Sequence, residues 1–228
     1  MKRATCGITV GLLLLVGAGG IAAQDSPAQE PAGRPPASSL VKSTRRPLPV
    51  DGRGFIRRWR VLEPYPVTGP LTEAAVEANL KSAMLAGSPM DVPGDAEVVR
   101  QPAELRWHEL DTRNYNLNLY HFAWALSKPT SNVLFWVVTT VDAPTQMNDV
   151  RLAIGSNAAS RWWVNGESVV SLYGDRQTVI DDGVSPRLTL RKGRNVIRAA
   201  IINGGGATDF CARFLDADLR PITSLTVR

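Results

Sequence analysis

Residues 161–170 have the sequence RWWVNGESVV and carry the clearest structural signal in this 228-residue chain. Asn165 and Gly166 separate two short runs of residues that favour β-structure. An Asn-Gly pair in this setting is the strongest short-range signal for a β-hairpin, because a type I′ turn requires a positive φ at both central residues. The segment therefore predicts two antiparallel strands joined by a two-residue turn.

The two-residue turn also predicts the register of this hairpin. Val164 then pairs with Glu167, and Trp163 pairs with Ser168. Successive side chains in a strand point to opposite faces, so Trp162 and Trp163 cannot share a face. The face that carries Trp163 is the more apolar of the two. We therefore expect Trp163 in the core and Trp162 facing outward or lying under a loop.

Most of the remaining chain after residue 49 consists of short β-favouring runs separated by turn sequences, which is typical of a β-sandwich or barrel. Two runs, VLFWVVTTV (133–141) and NVIRAAII (195–202), are apolar on both faces and are predicted to be central strands. Other strands are predicted at 96–100, 104–110, 119–125, 149–155, 187–191 and 210–215.

A single segment has the apolar spacing of a helix. Residues 70–85 (PLTEAAVEANLKSAML) begin with Pro70 and Thr72, place apolar residues at helical intervals, and are followed by Gly87. Proline and threonine near the start and glycine after the end are typical helix boundaries. The sequence therefore predicts a mainly β protein with one short helix.

The N-terminus has the composition of an export signal. Lys2 and Arg3 precede the apolar run 8–18, and small residues follow up to Ala23. This order of a basic, an apolar and a small-residue region is typical of a secretory signal peptide, predicted here as residues 1–23. The run is about half as long as a helix that crosses a bilayer, so no membrane span is predicted. A secreted or periplasmic protein is expected.

Residues 24–49 differ in composition from residues 50–228. They are rich in proline, alanine and serine and contain almost no aromatic or β-branched residues. Such a segment buries too little apolar surface to offset the entropy of ordering, so a disordered linker is predicted. Residues 50–228 remain as one domain of sufficient length for a hydrophobic core.

The chain has a formal net charge of +5, and basic residues cluster where the domain begins. A basic cluster is one signal of nucleic-acid binding. In an exported protein we interpret it instead as solvated strand faces, so no nucleic-acid partner is predicted. The cluster consists of Lys42, Arg45, Arg46, Arg53, Arg57, Arg58 and Arg60.

The segment from Val133 to the C-terminus resembles the galactose-binding-domain-like β-sandwich modules, which include sugar-binding domains attached to glycoside hydrolases in secreted bacterial proteins. The matching pieces are FWVVTTV (135–141), DVRLAIGSN (149–157), RWWVNGESVV (161–170) and RLTLRKGRNVIRAAIING (187–204). The resemblance implies a jelly-roll-type β-sandwich and a carbohydrate ligand. These motifs are structural, and a fold alone does not determine a function.

No catalytic constellation is evident in the sequence. The Gly-x-Ser-x-Gly string of a serine nucleophile elbow does not occur. His108 and His121 are the only histidines, they lie in different predicted strands, and neither has an evident third ligand for zinc. Cys211 alone remains after signal removal and is interpreted as a small buried hydrophobe. We therefore expect a protein that is not an enzyme.

Clustered carboxylates leave two alternatives open. Two Asp or Glu residues flanking a bond suffice for glycoside hydrolysis, so a small secreted hydrolase is one of them. Carboxylate and carbonyl oxygens in loops also bind Ca²⁺, so a structural calcium ion is the other. The candidate residues are Asp175, Asp181, Asp182, Asp209 and Asp216.

Aromatic side chains provide the predicted ligand site. Six tryptophans are present, and sugars pack their C–H faces on aromatic rings while their hydroxyls bond to polar neighbours. We predict that Trp162, Tyr173, Arg176 and Asp182 converge near the hairpin and the loop after it.

The sequence thus predicts a secreted, non-catalytic module that binds a carbohydrate or cell-surface glycan. The alternative from another class is a structural or assembly protein that docks a partner protein through the sandwich face. A concave pocket with one exposed tryptophan favours the glycan, whereas a continuous exposed apolar patch favours the partner protein.

Overall fold

The computed structural model describes residues 40–44, 46–85, 88–100 and 103–228. All the described residues belong to one compact unit. The predicted signal peptide, 1–23, and residues 24–39 of the predicted linker lie outside the described residues. Among the described residues, no helix has the length and the apolar character needed to cross a membrane.

Strands make up most of the regular structure in the described part of the chain. The two helices are α1 (Glu73–Ser82) and α2 (Leu119–Ala125). The strands are β1 (Leu40–Lys42), β2 (Leu48–Pro49), β3 (Arg58–Leu62), β4 (Tyr65–Pro66), β5 (Val98–Val99), β6 (Leu105–Thr112), β7 (Leu117–Asn118), β8 (Val133–Ala143), β9 (Met147–Ser156), β10 (Ala159–Val164), β11 (Glu167–Leu172), β12 (Gly183–Val184), β13 (Leu188–Leu190), β14 (Gly193–Asn203), β15 (Asp209–Leu215) and β16 (Thr226–Val227).

The strands form two antiparallel sheets that pack face to face. The main sheet has the order β1-β6-β3-β8-β14-β10-β11, and the second sheet has the order β12-β9-β15-β7. One core cluster combines Phe135 and Ile197 of the main sheet with Leu152 and Phe214 of the second. The prediction of a mainly β protein built as a sandwich is therefore confirmed, while the jelly-roll connectivity stays a prediction.

Strands β8 and β14 form the centre of the main sheet, as their apolar sequences predict. They pair along their whole length, from Gly193 with Ala143 to Asn203 with Val133. Odd-numbered side chains of β8 face the second sheet, and Leu134, Trp136 and Val138 belong to another core cluster together with Val76 and Leu80 of α1. The outer face of the main sheet is thus also covered, in part by α1.

Helix α1 confirms the predicted helix but is shorter than the predicted range 70–85. Helix α2 corrects the strand predicted at 119–125. The Asn118 side-chain oxygen accepts a hydrogen bond from the His121 backbone N–H at 2.7 Å, which is a typical N-cap contact. Leu119, Phe122 and Ala123 are buried at positions i, i+3 and i+4, so one helical face contacts the core.

Two strands lie within the predicted linker. β1 pairs with β6 and β2 pairs with β16, both antiparallel. The described residues between 40 and 49 are therefore ordered against the domain and do not belong to a disordered linker. Short apolar pairs such as Leu40 and Val41 find partners at a sheet edge, which a composition average over 26 residues hides.

The hairpin turn agrees with the prediction in its local geometry. Asn165 and Gly166 have φ values of 52° and 89°, as a primed turn requires. Val164 pairs with Glu167 and Trp163 with Ser168, and the register then shifts between Trp162 and Trp163. That bulge is the first departure from the predicted register.

The two hairpin tryptophans are reversed relative to the prediction. Trp162 is 0% exposed and donates its indole N–H to Ser160 Oγ at 3.0 Å, whereas Trp163 is half-buried on the outer face. The reason is tertiary: β10 lies between β14 and β11, and its Trp162 face packs against Phe210 of the second sheet. The prediction of Trp163 in the core and Trp162 outward is therefore wrong.

Thr139 offers a test of the core between the sheets. Its side chain is fully buried, and its Oγ1 has no hydrogen-bond partner among the described residues. Because a buried unpaired hydroxyl costs free energy, Thr139→Val is expected to raise the free energy of unfolding by about 1 kcal/mol. Urea denaturation measures this as a higher midpoint with an unchanged slope.

Ser160→Ala is the matched control for that substitution, because the Ser160 hydroxyl is equally buried but accepts the Trp162 indole hydrogen bond. Its loss is expected to lower the free energy of unfolding by about 1 kcal/mol. A Thr139→Val protein less stable than the wild type would contradict the assignment of an unpaired hydroxyl.

Candidate functional site

The structure does not bring the four predicted ligand residues to one surface. Trp162 lies in the core between the sheets, with its ring centroid 6.0 Å from Trp59 and 5.5 Å from Phe210 in edge-to-face contacts. Tyr173 is half-buried and packs with the cluster on the opposite face of the main sheet. A ligand therefore cannot contact Trp162 and Tyr173 together.

Arg176 and Asp182 do meet, but they pair with each other. Their side chains form an ion pair in the loop that follows β11. The Arg176 backbone N–H also donates to the Asn157 carbonyl at 3.3 Å, which holds this loop to the turn before β10. The pair is half-exposed, and it organises the loop.

A concave site is instead present on the outer face of the main sheet. There, α1 and the described residues Met84, Leu85 and Pro89 lie beside β8, β10 and β14 and enclose a cavity of about 290 Å³, which we name the outer cleft. Its wall is mainly apolar, and four charged side chains surround the apolar part. The lining residues are Leu80, Met84, Leu85, Pro89, Trp136 and Trp163, with Glu77, Lys81, Arg161 and Arg198 as the charged groups.

The register of β8, β14 and β10 explains why the sheet surface is concave at the outer cleft. Arg161 of β10, Ala200 of β14 and Trp136 of β8 lie side by side across the sheet. The small Ala200 side chain thus separates two large ones. In the neighbouring row Trp163 is paired with Arg198. Large side chains from both rows therefore surround the small Ala200 side chain.

Two indole rings form the aromatic wall of the outer cleft. The Trp163 and Trp136 ring centroids are 5.7 Å apart with the planes tilted by 35°. Trp136 is buried, and its indole N–H donates to the Ala83 carbonyl at the end of α1 at 2.9 Å. Trp163 is the more accessible of the two, so a ligand would contact its ring first.

A charged pair lies beside the Trp163 ring. The Arg161 guanidinium is 5.6 Å from the ring centroid, forms an ion pair with Glu77 of α1, and donates from Nε to Ser168 Oγ at 3.0 Å. Half-exposed ion pairs contribute little net free energy in water, so ligand hydroxyls can replace part of this contact at small cost. The pair supplies both donors and acceptors next to an aromatic surface.

Arg198 fixes the segment after α1 to the sheet. Its guanidinium donates to the carbonyl oxygens of Ser88 at 3.3 Å and Asp91 at 3.0 Å. Burial lowers the pKa of Arg198, and the Asp91 carboxylate opposes that effect. In the part of the chain that the structure describes, Arg198 Nε has no hydrogen-bond partner. Arg198 therefore positions one wall of the outer cleft.

Three of the five candidate carboxylates, Asp181, Asp182 and Asp209, bind neighbouring side chains. Asp181 binds Arg213 in a two-point contact, and Asp182 binds Arg176. Asp209 accepts hydrogen bonds from the Thr178 hydroxyl and the Asn116 amide. Within residues 40–44, 46–85, 88–100 and 103–228, no three His, Cys, Asp or Glu side chains are grouped so that they could hold a metal ion.

His108 contacts a neighbouring carboxylate, and Cys211 is buried. His108 Nε2 lies 3.3 Å from Glu63 Oε1, and Lys128 binds the other oxygen at 3.1 Å. Burial alone would raise the pKa of Glu63, but the hydrogen bonds from Lys128 and His108 outweigh it and lower that pKa. Burial raises the pKa of the Cys211 thiol to about 12, so it stays protonated at neutral pH.

Comparisons with known proteins give similarities to solved structures at low identity only. No protein-family model matches the sequence, and no curated protein is detectably similar to it. The PA14 sugar-binding domain from an RTX adhesin is 13% identical, with 73% of this chain and 93% of that chain covered and a TM-score of 0.47. The PA14 domain of the MpAFP antifreeze protein is 11% identical, with coverages of 81% and 96% and a TM-score of 0.39.

A family 35 carbohydrate binding module from Clostridium thermocellum is also similar in part. It is 23% identical, covers 37% of this chain and 72% of its own, and gives a TM-score of 0.27. All three TM-scores lie below 0.5, so these similarities do not assign a family or a ligand to this chain.

Proposed function

We propose that this chain is an exported, non-catalytic carbohydrate-binding module whose ligand lies in the outer cleft against Trp163. The observation that carries the proposal is a half-exposed indole in a concave apolar cavity, with Glu77 and Arg161 beside it. A sugar ring packs its C–H face on such an indole, and its hydroxyls bond to the charged groups. Trp163 thus takes the role predicted for Trp162.

The positions of the contacting groups support binding without large rearrangement. Trp163 and Arg161 extend from the inner strand β10, Trp136 from the central strand β8, and Glu77 from α1. Side chains on strands and helices are held more precisely than side chains on loops. A ligand therefore meets a largely ordered site, and little ordering entropy opposes its binding.

Trp163→Ala is expected to weaken glycan binding at least tenfold, equivalent to about 1.4 kcal/mol, because the central aromatic contact is lost. The measurement is titration calorimetry against the polysaccharides and glycans that bind the wild type on a broad panel. Trp124→Ala is the matched control, since Trp124 is 38% exposed on α2 and does not line the outer cleft. It is expected to bind as the wild type does.

Two results would contradict the proposal in different ways. Wild-type affinity in a folded Trp163→Ala protein would show that glycans bind elsewhere. Absence of saturable binding to any polysaccharide or glycan on the panel would contradict carbohydrate binding itself.

A partner protein is the second candidate, and one observation favours it. The cleft wall is mainly apolar, and Met84 at its rim is 63% exposed. An apolar side chain of a partner fits such a cavity, and Met is common at adaptable binding surfaces. The hydrolase alternative has no comparable support, because Asp181 and Asp182 are each occupied by an arginine.

A further inference from the structure

A second cavity lies next to the outer cleft. Its volume is about 530 Å³, and Val92, Val99 and Trp107 contribute to its wall. Leu85 and Arg198 line this cavity as well as the outer cleft. Since two side chains are common to both walls, the cavities are adjacent, and we describe the pair as a groove with two lobes. We name the second cavity the distal lobe.

The segment 88–99 is held against the sheet on both sides of this groove. Arg198 binds the carbonyl oxygens of Ser88 and Asp91 near its start. Near its end, the Trp107 backbone N–H donates to the Glu97 carbonyl, and the Ala96 N–H donates to the Trp107 carbonyl, both at 2.9 Å. These contacts fix the walls of both lobes in relation to the main sheet.

The distal lobe, like the outer cleft, combines an apolar wall with charged side chains, but its tryptophan is less accessible. Val92 and Val99 form its apolar wall together with Trp107, which is only 2% exposed. Glu97 and Arg100 supply charged groups. In the outer cleft, Trp163 and Trp136 form the apolar wall beside Glu77 and Arg161. Successive units of a polysaccharide present the same apolar and hydroxyl surfaces at each step, so a groove with two similar lobes fits a chain better than a single terminal sugar.

We infer that the outer cleft and the distal lobe bind successive segments of one extended glycan chain, each segment longer than a single sugar, with Arg198 and Leu85 at the junction between the lobes. The inference rests on the proposed carbohydrate-binding function and specifies its ligand as an oligomeric chain. Occupation of both lobes adds contact area for longer oligomers and adds nothing for ligands that fill one lobe.

The test uses the exported full-length domain and three series of probes: cello-, xylo- and galacturono-oligosaccharides of two to six units, titrated calorimetrically. In at least one series, affinity is expected to rise at least tenfold, about 1.4 kcal/mol, from the disaccharide to the longer oligomers. Val99→Trp places a bulky side chain in the distal lobe and is expected to remove that gain. Its affinity for the disaccharide is expected to stay within twofold of the wild type.

Val184→Trp is the matched control, because Val184 is exposed on β12 of the second sheet and lines neither lobe. It is expected to retain the full gain with length. Val92→Trp blocks the same lobe from the other wall and serves if the Val99 variant does not fold.

Three results would overturn the inference. Binding that is lost in Trp163→Ala but has the same affinity at every length would confine the ligand to one lobe and leave the proposed function standing. A gain with length that survives both Val99→Trp and Val92→Trp would place the additional units outside the distal lobe. No binding in any series, together with no binding on the wider panel, would remove the proposed function and this inference together.

Discussion

Replacement of Trp162 by alanine is expected to lower the free energy of unfolding by about 3–5 kcal/mol. The side chain is 0% exposed and makes edge-to-face contacts with Trp59 and Phe210, so its removal leaves a large cavity between the two sheets. It also leaves the Ser160 hydroxyl without its indole donor. Urea denaturation followed by far-ultraviolet circular dichroism measures the change.

Trp163→Ala is the matched control one residue further along the same strand. Trp163 is half-buried on the outer face, so we expect its loss to cost no more than about 2 kcal/mol. This variant should remain folded at the temperature of the binding assays. Equal destabilisation by the two substitutions, or a larger effect at Trp163, would contradict the assignment of Trp162 to the core.

Asp111→Asn is expected to cost about 3–5 kcal/mol, because it leaves a buried guanidinium without its counter-charge. Arg58 is 2% exposed and binds Asp111 through two contacts, Nε to Oδ1 at 2.7 Å and Nη2 to Oδ2 at 2.9 Å. The hydrogen bond to Asp111 outweighs burial and raises the pKa of Arg58. The prediction that the members of the basic cluster are solvated is therefore wrong for Arg58.

Asp149→Asn provides the comparison on the surface. Asp149 and Arg187 are 3.7 Å apart, and more than half of each side chain is exposed. Water screens such a pair, so the substitution is expected to change stability by no more than about 1 kcal/mol. Chemical denaturation of both variants under one set of conditions tests the contrast. An Asp111→Asn protein within about 1 kcal/mol of the wild type would show that the buried pair is not required.

Local chemistry made parts of the fold predictable. The Asn165-Gly166 turn depends on two backbone conformations that few residue pairs adopt, so the turn and its first two strand pairs follow from the sequence. Strands β8 and β14 were predictable because both faces of each are apolar, which in a sandwich indicates a central position. The helix around 73–82 was predictable from its apolar spacing.

Tertiary context decided the features that the sequence did not reveal. Both faces of the main sheet are covered, so the hairpin pattern could not indicate whether Trp162 or Trp163 meets the second sheet. In α2, the capping contact of Asn118 and the packing of Phe122 outweigh the strand preference of the aromatic residues. The Asn118 cap followed by i, i+3 and i+4 apolar residues was the available signal.

The outer cleft was hidden because its parts are distant in sequence. Glu77, Trp136, Arg161 and Arg198 come from four different elements, and only the register of β8, β14 and β10 brings the three strand residues together. No spacing rule within one segment connects them. The alternation of Arg161 and Trp163 on one strand face was the single local indication of a charged and aromatic surface.

The most direct test of glycan binding at Trp163 is a ¹⁵N NMR titration that follows the indole N–H signals of the six tryptophans. Each signal is assigned by a single Trp→Phe variant, and the titrant is the glycan that binds most tightly on the panel. Binding in the outer cleft predicts saturable shifts of the Trp163 signal and smaller shifts of Trp136, with Trp124 unchanged. Saturable shifts at Trp124, or at any other tryptophan with Trp163 unmoved, would contradict it.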